Sequence, residues 1–287
     1  MIPFTPQPIL FQIGSFKAYT FGLMMAIAAL VVFFLVLKKA KTQGIDEKHI
    51  YNLLFVMFAF SLFFARFFYF LGNMSDFTSL LDFFAVWNGG FTGFGVITGG
   101  ILAIYIYTKI AKINFLQILY IVSLYAPLGI AIGRIGCFLR GCCFGLPTNL
   151  PWGILYSPGS LAYSIGFITP VHPTQIYHLL ANLLIFAILL RVDKKLGDKG
   201  KGVKLSNKVK KDVKKDKSIK ALINFNYLTI ITLFLMLASI ERFAIDFLRF
   251  YPQSSHVGGL VYTQIGYACL FVVSLSLFLI LRKKYKS

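Results

Sequence analysis

The sequence predicts an all-α, polytopic membrane protein with about seven transmembrane helices. Of its 287 residues, 57% are hydrophobic and only 14% are charged. The mean hydropathy is +0.75, and the lysines gather between long apolar runs rather than inside them. A soluble domain carries about 25% charged residues, so this chain could not keep its surface wet and belongs in lipid. The net charge of +19 would also suit a nucleic-acid binder. Its confinement to loops between apolar runs argues for membrane topology instead, and no nucleic-acid partner is expected.

Apolar runs occur at roughly 20–37, 51–71, 93–110, 117–137, 174–191, 226–247 and 260–281, near the ~20 residues that cross a bilayer. The first has only Lys17 before it and lysines after it, the reverse of signal-peptide polarity, and reads as a retained span. The third opens among Gly89, Gly90, Gly93, Gly95, Gly99 and Gly100, which a membrane helix tolerates and which permits close backbone approach. Lys38, Lys39, Lys41 and Lys48 follow the first run, and Lys109 and Lys112 follow the third. A lysine-rich stretch from Arg191 to Lys220 follows the fifth, and Arg282, Lys283, Lys284 and Lys286 follow the seventh. The intervening loops hold only Arg140 and Arg249 as basic residues. The positive side is cytoplasmic, so the N-terminus is expected outside and the C-terminus inside, which requires an odd number of spans.

One integral membrane domain over 1–287 is expected, with periplasmic head segments at about 72–92 and 138–173. The second segment, rich in Pro and Gly, is expected to pack on the bundle. A lysine-rich cytoplasmic insert at about 193–220 is expected to be disordered or frayed helix. It reads either as a contact for anionic lipid or as a solvated, topogenic loop.

Three arginines, Arg66, Arg134 and Arg242, fall inside apolar runs near their outer ends, and Arg249 follows just beyond. Each costs about 2.5–3.5 kcal/mol at a helix centre. Arg242, Asp246 and Arg249 share one helix face at i, i+4 and i+7. Glu241 and Asp246 are the only acids nearby, too few for so many guanidinium groups. A phosphate oxyanion, which guanidinium grips in a bidentate fork, is the remaining partner. Snorkelling or structural ion pairs are the alternative.

His172-Pro173-Thr174-Gln175-Ile176-Tyr177 opens the fifth run. Pro173 suits a helix start, and His172, Gln175 and Tyr177 present donors and acceptors at the membrane surface. His172 reads as a base near neutral pH, or the motif reads as a cap with an interfacial tyrosine anchor. In Gly133-Arg134-Ile135-Gly136-Cys137-Phe138-Leu139-Arg140-Gly141-Cys142-Cys143-Phe144-Gly145, glycines including Gly133 and Gly145 let the chain turn tightly. The cysteines are redox-active, metal-binding or small apolar fillers. The adjacency of Cys142 and Cys143 argues against one zinc and against a disulfide between them, whereas a Cys137–Cys142 bridge stays open. Four cysteines are too sparse for a disulfide scaffold.

Taken together, GRIGCFLRGCCFG, HPTQIY and the pattern Arg242-Phe-Ala-Ile-Asp246-Phe-Leu-Arg249 resemble the signatures of bacterial prolipoprotein diacylglyceryl transferases. PILFQIG and FGLMM near the N-terminus and VWNGG before the third span add to the resemblance. It implies seven transmembrane helices with a periplasmic head, in the bacterial cytoplasmic membrane with the site facing the outer leaflet. The implied reaction moves the diacylglyceryl group from phosphatidylglycerol to the lipobox cysteine thiol of a prolipoprotein signal peptide, releasing glycerol phosphate and leaving a thioether. It further implies that Arg134 binds the phospholipid and that Arg242 is needed for activity.

With His172 as candidate base, Arg134 and Arg242 complete the expected catalytic set. Arg66, Gln175, Tyr177, Asp246, Arg249, Gly133 and Gly145 form the expected substrate-binding set beside Arg134. No cofactor and no metal are expected. The sequence departs from the family pattern at Phe94 (histidine in the family), Phe21 (tyrosine), Cys137 (asparagine) and Cys142 (glutamate). These departures keep two alternatives open: a lipid-modifying transferase with another acceptor, and a non-catalytic phospholipid-binding membrane protein. A thiol oxidoreductase fits the adjacent cysteines and the arginine layer poorly, and a transporter would carry its charge nearer the midplane.

Overall fold

The computed structural model describes residues 1–14, 16–74, 77, 79–85, 89–200 and 217–284. Strands β1 (Ile2–Phe4), β2 (Ile9–Ile13) and β3 (Phe16–Tyr19) precede helices α1 (Thr20–Thr42), α2 (Glu47–Gly72), α3 (Gly93–Ile110) and α4 (Phe115–Arg140). Then come β4 (Ile154–Tyr156), the single turn α5 (Leu161–Ser164), α6 (Thr174–Gly200) and α7 (Lys217–Asp246). Strands β5 (His256–Val257) and β6 (Leu260–Val261) lead into α8 (Tyr262–Lys284). Seven of these helices, all but α5, are long and apolar enough to cross a membrane, and they coincide in order with the seven expected runs. Large apolar side chains such as Phe34, Phe55, Val272 and Ile280 stand exposed on them, which suits a surface solvated by lipid tails.

The chain divides into two compact units, one of Met1–Val32 with Val122–Ser287 and one of Phe33–Ile121. In the second, α2 and α3 pack as a hairpin through glycines. A Cβ on Gly99 would lie 2.5 Å from the Phe60 carbonyl oxygen, and one on Gly95 2.5 Å from the Ala65 Cα. The Gly95–Gly99 spacing therefore brings two backbones into contact, as in small-xxx-small membrane pairs. The 3-10 turn Leu80–Phe84 follows this hairpin's first helix. Val86, Trp87 and Asn88 of the VWNGG motif lie outside the described residues.

In the first unit α6 packs on α7 and α7 on α8. The segment 138–173 is folded, not loose. β1 pairs in parallel with β4, and Phe144, Ile154, Tyr156, Ala162 and Val171 form a small buried core with Phe4, Phe138, Phe167 and Phe250 around it. The described ends of the lysine-rich insert are helical. α6 continues to Gly200 and α7 begins at Lys217; residues 201–216 lie outside the described residues. Once a helix is nucleated in the bilayer, each further residue adds a hydrogen bond at little cost, and lysine and leucine are good helix formers.

Candidate functional site

Backbone pairing in the first unit draws three distant sequence motifs together. Gly145 N donates to His172 O at 2.8 Å, and His172 N donates to Leu146 O at 2.9 Å. On the other edge, Leu146 N donates to Leu248 O at 2.8 Å and Phe250 N to Phe144 O at 3.1 Å. The cysteine-containing motif is thus clamped between the start of α6 and the chain leaving α7. Gly145 is required by that clamp, because a Cβ there would meet His172 Cβ at 2.6 Å and Leu248 O at 2.5 Å. Gly133 has a different task. It lies on the face of α4 that packs on α1, where a Cβ would stand 3.3 Å from Met25 Sδ.

Gln175 is fully buried and donates to Cys142 O at 2.7 Å and to the Tyr156 hydroxyl oxygen at 3.0 Å. Burial pushes the Tyr156 phenol up to about 12, so it stays protonated. Beside it, Thr174 Oγ1 donates to Cys143 O at 2.6 Å. These α6 side chains hold the cysteine turn in place. Among the described residues, the buried Gln175 Oε1 has no partner.

Arg242 sits in a network that fixes it on every side. Its Nε lies 3.3 Å from Asp246 Oδ1, an ion pair one helical turn apart without hydrogen-bond alignment. Its terminal nitrogens meet His178 Nε2 and Tyr251 Oη, each at 3.2 Å. Asp246 accepts from Tyr251 Oη at 2.9 Å and from Thr263 Oγ1 at 2.7 Å. His178 Nδ1 pairs with Glu241 Oε1, which also accepts from Asn182 Nδ2 at 3.1 Å. This assigns the Nδ1–H tautomer to His178, with the Nε2 lone pair turned to Arg242.

The histidine that meets Arg242 is thus His178. His172 Nδ1 lies 3.2 Å from Tyr177 Oη, which accepts from Trp152 Nε1 at 2.9 Å. His172, Tyr177 and Trp152 line an apolar pocket with Ile2, Leu180 and Leu248. Burial holds the His172 pKa below its ordinary value, which keeps the ring neutral near pH 7. His178 carried a sequence signal of its own. Thr174, His178 and Asn182 are polar, four residues apart and all buried on one face of α6.

Arg134 and Arg249 differ from Arg242. Arg134 is half-buried on α4, and among the described residues its side chain has no hydrogen bond or ion pair. The Arg249 guanidinium stacks 4.8 Å from the Tyr251 ring centre, and its buried Nε has no hydrogen-bond partner among the described residues. Both charges reach Cys143. Its thiol is pulled down first by the neighbouring thiols of Cys137 and Cys142, then by the charges of Arg249 and Arg134, against the opposing effect of burial. Arg134 and Arg242 both bear on the His178 ring. Arg242 and His178 are hydrogen-bonded, and the charges of Arg134 and Arg249 lie within electrostatic reach of the same part of the unit.

Arg66 belongs to the other unit and has no donor left for a ligand. Its Nε donates to Phe83 O at 3.0 Å and its terminal nitrogens to the carbonyls of Gly89, Gly90, Asp82 and Ala85. The residue is 5% exposed. All five guanidinium N–H groups are used on the backbone carbonyls of Asp82, Phe83, Ala85, Gly89 and Gly90, which favours the structural alternative for Arg66.

The prolipoprotein diacylglyceryl transferase family profile matches residues 8–207. The chain belongs to that family. A phosphatidylglycerol–prolipoprotein diacylglyceryl transferase of Clostridium tetani is 31% identical over 195 residues, covering 68% of this chain and 77% of the relative. One of Clostridioides difficile is 35% identical over 183 residues, covering 63% of this chain and 70% of the relative. A Thermotoga maritima transferase is 31% identical over 182 residues, covering 63% of this chain and 62% of the relative. The profile match ends before α7, so Glu241, Arg242, Asp246 and Arg249 join the family's motifs through the fold.

Proposed function

We propose that this protein transfers the diacylglyceryl group of phosphatidylglycerol to the cysteine thiol of a prolipoprotein, the first step of lipoprotein maturation. The observation that carries the reading is Arg134, a half-buried cation on a membrane-spanning helix with no protein partner among the described residues. A desolvated guanidinium is costly unless an anion completes it. The phosphodiester of the lipid supplies that anion, and Arg249, whose buried Nε has no hydrogen-bond partner among the described residues, offers a second guanidinium.

Arg134 and Arg249 hold the phosphate and stabilise the charge that grows on it as the carbon–oxygen bond to the diacylglyceryl group breaks. Arg242, fixed by Asp246, Tyr251 and His178, supplies a preorganised positive charge beside them. His178 is oriented by Glu241 and keeps an Nε2 lone pair turned to Arg242. Gln175 and Thr174 hold the turn that carries Cys142 and Cys143. His172 and Tyr177, in an apolar pocket near the start of α6, suit an acyl chain or the apolar part of a signal peptide. The lysine-bearing loops support a site facing the outer leaflet of the cytoplasmic membrane, with the C-terminus inside.

The test is a membrane assay with phosphatidylglycerol and a lipobox peptide, comparing wild type with Arg134→Ala. Wild type is expected to add one diacylglyceryl unit to the peptide, with the rate at least about 100-fold lower in the variant. Absence of product from folded wild type would overturn the reading, as would equal rates in the two proteins.

A further inference from the structure

Cys137, Cys142 and Cys143 have no role in the reading above. Their sulfur atoms all lie within 4.8 Å of one another. Residue adjacency does not separate Cys142 and Cys143. Gly141 (φ 72°) and Cys143 (φ 64°) both adopt the left-handed region, uncommon for a side-chain-bearing residue. That turn sets the two Sγ atoms 3.7 Å apart. Cys142 N donates to Cys137 O at 3.1 Å, folding the third thiol back onto the pair. A tetrahedral zinc with Zn–S bonds of about 2.3 Å has sulfur–sulfur edges of about 3.8 Å.

We propose that Cys137, Cys142 and Cys143 form a three-thiolate zinc site whose open fourth position binds the acceptor cysteine thiol and activates it. The inference rests on the transferase reading above. Among the described residues no histidine, carboxylate or further cysteine joins the three sulfurs, so a tetrahedral ion keeps one position for an outside ligand, the hallmark of a catalytic rather than a structural zinc site. The cysteine turn is held by side chains of another helix. Thr174 donates to the carbonyl of Cys143 and Gln175 to that of Cys142, the outer-shell support that fixes metal ligands.

Cys142 also lines an open cleft with Arg140, Ser157, Ser160 and Leu161, which gives an acceptor a path to the sulfurs. Zinc with three thiolates carries one net negative charge, and the neighbouring Arg134 and Arg249 offset it. The same two guanidinium groups hold the lipid phosphate, so the acceptor sulfur and the carbon it attacks meet beside them.

The step balances. The acceptor thiol binds zinc and loses its proton to water, since a metal-coordinated thiol ionises at neutral pH. The bound sulfur forms a bond to the terminal glycerol carbon of the diacylglyceryl group. The bond from that carbon to phosphate oxygen breaks, and glycerol phosphate leaves with the electron pair. The thioether product is a poor ligand and departs from the ion. This supplies thiol deprotonation beside the arginines that hold the phosphate.

The experiment uses the full chain in lipid nanodiscs, kept reduced with a phosphine and loaded with Zn(II) or Co(II). One metal per chain is expected, together with a cobalt–thiolate charge-transfer band. That band should strengthen on adding a lipobox peptide and stay unchanged with its Cys→Ser counterpart. Cys142→Ser and Cys143→Ser should lose the band, whereas Cys269→Ser, on the exposed face of α8, should keep it and so controls for folding. Removing the metal should lower transfer at least about 100-fold, with recovery on adding zinc. No stoichiometric metal in folded wild type, a band indifferent to the peptide thiol, or full transfer by the metal-free chain would each overturn the proposal. In the last case the transferase reading stands; metal and peptide binding without any product would sink the transferase reading instead.

Discussion

Arg66 and Arg134 are both arginines of membrane-spanning helices, and sequence alone gives them the same standing. Arg66, on α2, donates all five of its N–H groups to the backbone carbonyls of Asp82, Phe83, Ala85, Gly89 and Gly90. Arg134, on α4, donates none to the described residues. A buried charge must be completed by something. The chain completes the first with its own loop, which makes it a folding element. The second has no such partner among the described residues, and on the proposed reading a ligand completes it, which would make it a binding element. Arg242 falls between them, paired with Asp246 but bearing on the same histidine as Arg134.

The contrast breaks most sharply at Arg66. Arg66→Gln removes a charged donor from five carbonyls, and hydrogen bonds to charged groups are worth about 1.5–3 kcal/mol each. A stability loss of about 5 kcal/mol is expected, seen as a large drop in thermal melting in detergent, with Arg66→Lys unable to restore the five-bond pattern. Arg134→Gln should leave the melting temperature within about 2 °C of wild type, since it removes no hydrogen bond or ion pair among the described residues.

Next in size is Asp246→Asn, which takes the counter-charge from buried Arg242. Breaking such a pair costs about 3–5 kcal/mol. Both melting temperature and transfer rate should fall, which separates this residue from Arg134, where only rate falls. The smallest effect sharpens the histidine assignment. His172→Gln should change the transfer rate less than about threefold, whereas His178→Gln should lower it about 100-fold or more, the usual range for a lost acid–base group.

The seven spans were legible because apolar runs and interleaved lysines write bilayer crossing directly into the sequence. The three site motifs were legible as segments, and their convergence was implied by family resemblance rather than by residue spacing. The partners of Arg66 were not legible, because they are backbone carbonyls, which leave no mark in a sequence scanned for carboxylates. His172 drew attention through its Pro-linked motif. The informative pattern lay one turn on, where Thr174, His178 and Asn182 repeat every four residues. The thiol cluster depends on left-handed backbone at Gly141 and Cys143, a local conformation that reverses what adjacency suggests.

The most direct measurement is lipid retention by the purified protein in the absence of any thiol acceptor, read by native mass spectrometry. Wild type should hold one phosphatidylglycerol per chain, and Arg134→Gln should bind it about 10- to 100-fold more weakly, in line with the loss of a charge-assisted phosphate contact. Equal retention by the two proteins would mean that another group holds the phosphate, and the assignment of the unpaired guanidinium would be wrong.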